Sequence, residues 1–174
     1  MRKLRLAGFV FVALLATAGT VYAASREFEA DLSGAEEVPV RVTGAEGEAT
    51  FKLNKDGTEL KFRLEVEDIN NVVQAHIHLG APGVNGPVVA FLYGPVAPGG
   101  GPVDGRLAKG TLTAANLVGP LAGHPFSELV DAIRAGNAYV NVHTDDGVAP
   151  TNTGPGDFPG GEIRGQVGTE DDDD

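Results

Sequence analysis

The chain has 174 residues, a formal net charge of −11, 25 Gly, 11 Pro and no Cys. That composition describes a single acidic, glycine-rich domain, and it excludes disulfides, thiolate metal sites and a thiol nucleophile. The acidity leaves no basic footprint for a phosphate backbone, so nucleic acid is excluded as a partner; with 42% hydrophobic residues the chain still has the material for a packed core.

Residues 1–23 read as an export signal. Arg2, Lys3 and Arg5 precede the apolar run Leu6 to Ala18, and Val21-Tyr22-Ala23 places small residues at the −3 and −1 positions of a cleavage point. The run is shorter than the roughly 20 residues that span a bilayer, and no second apolar segment follows it. The expectation is a cleaved signal peptide, a secreted or periplasmic location, and a mature protein without a membrane span. Cleavage removes three basic residues, so the charge moves from −11 to −14.

Beyond the signal the pattern has period two, which puts successive side chains on opposite faces of a strand. Phe28, Ala30 and Leu32 alternate with acidic residues, Ala49, Phe51 and Leu53 continue the pattern, and Leu60, Phe62, Leu64 and Val66 alternate with charges. Asn54-Lys55-Asp56-Gly57 between the last two runs supplies the turn of a hairpin. Further strands are expected at Val73–Leu79, Pro87–Tyr93, Arg106–Thr111, Ala138–His143 and Gly161–Val167, joined by Gly- and Pro-rich connections at 80–86, 94–105 and 147–160. Phe126, Leu129, Val130 and Ile133 fall at helical spacing, with Pro125 before them and Gly136 after, and predict one short helix. The fold class expected is therefore all-β, an antiparallel β-sandwich or barrel with one short helix. Glu170–Asp174 reads as a solvated acidic tail, so that residues 24–168 form the domain and 169–174 the tail.

Four histidines are present, and two of them form His76-Ile77-His78. Alternation puts His76 and His78 on one face and Ala75, Ile77 and Leu79 on the core face; the same logic turns Tyr139, Asn141 and His143 outward from Val140 and Val142. If the two strands are neighbours, three imidazoles converge on one outward face, and neutral imidazole suits copper or zinc, with Cu(II) highest in intrinsic affinity. His124, beside Pro125 at the helix start, is expected to be exposed and outside the site. Asp145-Asp146 reads equally as a turn or as a partner for a metal-bound imidazole. Glu162 and Arg164, two apart on the last strand, are expected to form an exposed ion pair. No nucleophile elbow, phosphate loop, dinucleotide fingerprint or zinc-protease helix occurs, so no catalytic residue and no organic cofactor are assigned.

The segments FEADLSGAEEVP (Phe28–Pro39), GEATFKL (Gly47–Leu53), AHIHLGAPGVNGPVVAFL (Ala75–Leu92), KGTLTAANL (Lys109–Leu117), AGNAYVNVHT (Ala135–Thr144) and GGEIRGQV (Gly160–Val167) resemble the chordin (CHRD) domain over nearly the whole mature chain. That resemblance implies an immunoglobulin-like sandwich or barrel in an extracytoplasmic setting, without a settled activity. A more distant resemblance links His76-Ile77-His78 and the Gly136–Asp146 strand to copper–zinc superoxide dismutases, and implies copper ligands at His76, His78 and His143. The chain departs from that family in having no evident bridging histidine, no zinc cluster and no cysteines, and Glu162 stands where the dismutases place an anion-guiding arginine. The reading carried forward is an exported CHRD-domain binding protein that holds copper, or zinc, at His76, His78 and His143. Two other readings stay open: a superoxide-dismutase-like copper redox enzyme, and an extracellular adhesion or matrix module that binds a protein or polymer without metal.

Overall fold

The computed structural model describes residues 25–169; the expected signal peptide and the acidic run 170–174 lie outside them. Nine strands form one antiparallel sheet: β1 (Glu27–Ser33), β2 (Glu46–Leu53), β3 (Leu60–Asn70), β4 (Val72–Leu79), β5 (Val88–Tyr93), β6 (Pro102–Leu112), β7 (Ala138–Thr144), β8 (Ile163–Gln166) and β9 (Gly168–Thr169). Their spatial order is β5-β4-β7-β8-β1-β2-β3-β6, with β9 also pairing β1. The outer strands β5 and β6 approach each other, so the sheet rolls into a nearly closed barrel around the apolar positions read from the sequence. No helix among the described residues is long and apolar enough to cross a membrane.

The alternation sets the register. Phe28 lies opposite Phe51, which lies opposite Phe62, and Ala30, Ala49 and Leu64 form the next inward row. After Val66 the β3–β6 register shifts at a bulge, so Ile69 rather than Asp68 turns inward. The same irregularity explains an error in the expected elements: β6 begins at Pro102, inside the stretch read as a connection. Gly105, at φ +87°, sits at the bulge inside the strand. Pro102 is tolerated because it opens an edge strand.

The helix α1 (Ser127–Arg134) buries Leu129, Val130 and Ile133. It stops where predicted, because Gly136 at φ +65° closes the last turn: its N–H donates to the Ile133 carbonyl and that of Asn137 to the Ala132 carbonyl. Immediately beyond that stop runs β7, every residue of which is buried.

Candidate metal centre

Strands β4 and β7 are hydrogen-bonded neighbours, and their register puts Gln74 opposite His143, His76 opposite Asn141 and His78 opposite Tyr139. The side chains of His76, His78 and His143 therefore meet on the face of the sheet opposite the apolar core. One ligand-capable nitrogen of each lies within 4.8 Å of the others. The diagonal pair is closest, with His76 Nδ1 3.1 Å from His143 Nε2.

The histidines lie on the outward face, as expected, but that face is not open to solvent. His76, His78 and His143 are only 3%, 8% and 7% exposed. Three connections fold over them. From the loop 80–86, the Gly86 carbonyl accepts the Nδ1–H of His78 at 2.9 Å, and from the loop after β7 the Pro159 carbonyl accepts that of His143 at 2.9 Å. The segment 34–43 lies across the same face, where Asn141 Nδ2 donates to Glu37 Oε2 and Arg41 Nε to the Gly161 carbonyl. Phe91 of β5 stands edge-on to His76 at 4.6 Å between centroids, and Tyr139 stacks on His78 at 4.8 Å.

These partners decide the tautomers. His78 and His143 each carry their proton on Nδ1, so Nε2 of each presents a lone pair. His76 then donates from Nδ1 to His143 Nε2. Nε2 of His76 and of His78, Oε1 of Glu37 and Oδ1 of Asn141 are buried without a protein hydrogen-bond partner, four of the five such atoms among the described residues. Buried polar groups are ordinarily paired, so this concentration marks a place for an ion or ordered water. Burial favours the uncharged forms: it lowers His76 to about 3, with the neighbouring His143 and His78 adding to the effect, lowers His143 to about 4, lowers His78, and raises the Glu37 carboxyl to about 7. His76 and His143 are thus neutral, the form in which imidazole ligates metals, well into the acid range, and burial shifts His78 the same way.

Glu162 and Arg164 correct another expectation. Neither is exposed, and they do not serve each other. Glu162 accepts from the hydroxyls of Thr43 and Thr144, both at 2.6 Å, and from the Gly156 N–H at 2.8 Å. Arg164 lies over the Tyr139 ring at 3.5 Å and donates to the carbonyls of Ala81 and Val84 and to Asn85 Oδ1. Asp145 and Asp146 take the turn role: Oδ1 of each accepts a backbone N–H two residues on, from Gly147 and Val148. His124 is exposed and pairs with Glu128, outside the centre. Sequence reasoning missed Glu37, Asn141 and the carbonyls of Gly86 and Pro159 as members of the site.

Fold and site together define an antiparallel β-barrel domain with a covered histidine trio on its outer face. The chain belongs to the CHRD domain family, whose model matches residues 28–167. A comparison with curated proteins returns no match.

Proposed function

We propose that the protein is an exported CHRD-domain metal-binding protein whose centre is His76, His78 and His143, with copper as the preferred ion and zinc as the alternative. The observation that carries this reading is the 3.1 Å separation of His76 Nδ1 and His143 Nε2. Two imidazole nitrogens each at about 2.0–2.1 Å from a shared ion lie about 2.9–3.4 Å apart in square-planar to tetrahedral geometry. The pair is therefore already spaced for one ion. His78 adds a third nitrogen with a buried, partnerless lone pair. Coordination through Nδ1 replaces the His76–His143 hydrogen bond, and the Nδ1 proton of His76 moves to its partnerless Nε2, so that the imidazole stays neutral. The carbonyls of Gly86 and Pro159 supply the orienting contacts that metal-binding histidines use. Burial on all sides supports retention of an ion rather than turnover of a substrate.

The test is titration of the purified protein with Cu(II) and, separately, Zn(II), repeated with His78→Ala and His143→Ala. Loss of an orienting contact alone costs about 10–100-fold in metal affinity, so removal of a ligand is expected to cost about 100-fold or more. Unchanged affinity in both variants overturns the centre.

A further inference from the structure

A second group of metal-capable side chains lies on the loop that leaves β7. One carboxylate oxygen each of Asp145, Asp146 and Asp157 lies within 4.8 Å of the others. Asp145 and Asp146 are half-buried, and each spends only Oδ1 on its turn, which leaves the second oxygen of both carboxylates for another partner. Asp157 is 2% exposed. Its Oδ2 accepts from the backbone N–H and the hydroxyl of Thr153, both at 2.9 Å, whereas its Oδ1 is buried and has no protein partner. None of the salt bridges among the described residues involves these three groups. Three carboxylates drawn together, one of them buried with an idle oxygen, repel one another and lack the positive charge that would hold them.

We infer that Asp145, Asp146 and Asp157 form a binding site for Ca²⁺, separate in ligands and chemistry from the histidine centre. All three donors are hard oxygens, which select Ca²⁺ or Mg²⁺ over the ions that imidazole prefers. Oxygens bound to one Ca²⁺ at 2.3–2.6 Å are at most about 4.6–5.2 Å apart, so the three carboxylates already sit within the span of a single ion. Mg²⁺ demands a tighter and near-octahedral shell, which a pair of adjacent turn aspartates supplies poorly. The ion ties Asp145 and Asp146, at the start of the loop, to Asp157, near its end, and so clasps the segment 147–156. Two residues past Asp157 stands Pro159, whose carbonyl orients His143, but the Ca²⁺ site does not depend on a metal being held there.

Calorimetric titration of chelator-treated protein with Ca²⁺ at physiological ionic strength tests the assignment, with Mg²⁺ as the comparator. One saturable site per chain is expected, with a dissociation constant of about 10⁻⁴–10⁻³ M, the range of extracellular calcium modules. Asp157→Asn and Asp146→Asn are each expected to weaken it about tenfold or more, because ligand charge sets affinity. Asp146→Asn keeps the turn acceptor for Val148, so it decides the matter if Asp157→Asn does not fold. Saturating Ca²⁺ is also expected to slow proteolysis within 147–156 severalfold, and His78→Ala to leave Ca²⁺ binding unchanged. Absence of saturable uptake, or equal uptake by wild type and Asp146→Asn, overturns the site; so does equal loss on Glu48→Gln, which alters only the acidic outer face of β2.

Discussion

The two halves of the sheet obey the same alternation and treat their outward faces in opposite ways. On β1, β2 and β3 the outward positions Asp31, Glu46, Glu48, Lys52, Lys61, Arg63 and Glu67 are exposed, Glu27, Glu29, Ser33, Thr50 and Glu65 are half-buried, and none is buried. On β4, β7 and β8 the outward positions His76, His78, Tyr139, Asn141, His143 and Arg164 are buried, with Gln74 and Gln166 half-buried at the ends of the face. The first half meets water directly, while the second is roofed by the connections 34–43, 80–86 and 145–161. Period two therefore tells which side chains share a face; it does not tell whether the face away from the core is wet. The lesson is chemical as well as architectural, since the roofed face, unlike the open one, holds the buried imidazoles and four of the five partnerless buried side-chain atoms among the described residues.

The largest expected contrast lies between two arginines. Arg164→Ala removes the stack on Tyr139 and leaves the carbonyls of Ala81 and Val84 and Asn85 Oδ1 short of a donor, at an expected cost of about 3–5 kcal/mol. Arg63→Ala, on the open face beside Glu65, is expected to change stability by no more than about 0.5 kcal/mol. Urea unfolding of both variants measures the difference, and similar midpoints would mean that the roof contributes nothing.

Acid sharpens the contrast next. In the metal-free protein His76 and His143 stay neutral down to about 3 and 4, and His78 is lowered too, whereas in the unfolded chain all three protonate near 6.5. Between pH 6.5 and 4 the unfolded state thus binds more protons at these sites, and stability falls as pH falls. Glu37 has the opposite sign: folded, it protonates below about 7, unfolded only near 4.5, so it adds stability as the pH drops through that window. Three groups outweigh one. The urea midpoint is expected to decline from pH 7 to pH 5, and Glu37→Gln to deepen the decline; a flat or rising midpoint contradicts the burial of the trio. On the open face Glu27, lowered by Lys52, acts only below its ordinary 4.5 and leaves this window untouched.

The smallest effect has the reverse sign. Asp31 lies directly opposite Glu48, which lies opposite Glu65, and Glu46 faces Glu67 across β2 and β3. Like charges in such positions destabilise, so Glu48→Lys is expected to add up to about 1 kcal/mol. The gain should vanish in 1 M NaCl, where the screening length is about 3 Å.

Much of the barrel was legible because it is written in side chains. The inward rows of β1, β2 and β3 were readable from alternation, α1 from its spacing and Gly136, and the sharing of a face by His76, His78 and His143 from strand parity. The roof was not readable, because it is held largely by main-chain carbonyls: Gly86, Pro159, Ala81 and Val84 accept the key hydrogen bonds, and a carbonyl has no sequence signature. Glycines at 80–86 and 147–160 looked like punctuation for the same reason. One usable signal was present, in that the outward positions Gln74, His76, His78, Tyr139, Asn141 and His143 include no Lys, Asp or Glu. A solvated strand face is seldom so free of charge. Gly161 marks the closeness of the roof: a Cβ there would stand 2.5 Å from Glu37 Oε1 and 2.6 Å from Asn141 Oδ1.

The span of the β4–β7 pairing has a kinetic consequence. His76 and His143 are 67 positions apart in the chain, whereas β2 and β3 are joined by a short local turn. Bringing distant segments together carries the larger loop-closure entropy, so the β2–β3 hairpin is placed to form early and the histidine trio late. An ion bound only by the completed trio then has no purchase on the folding transition state. If the proposed centre holds an ion, that ion is expected to slow the unfolding limb of the chevron and leave the refolding limb where it was, as a latch on the finished barrel rather than its nucleus.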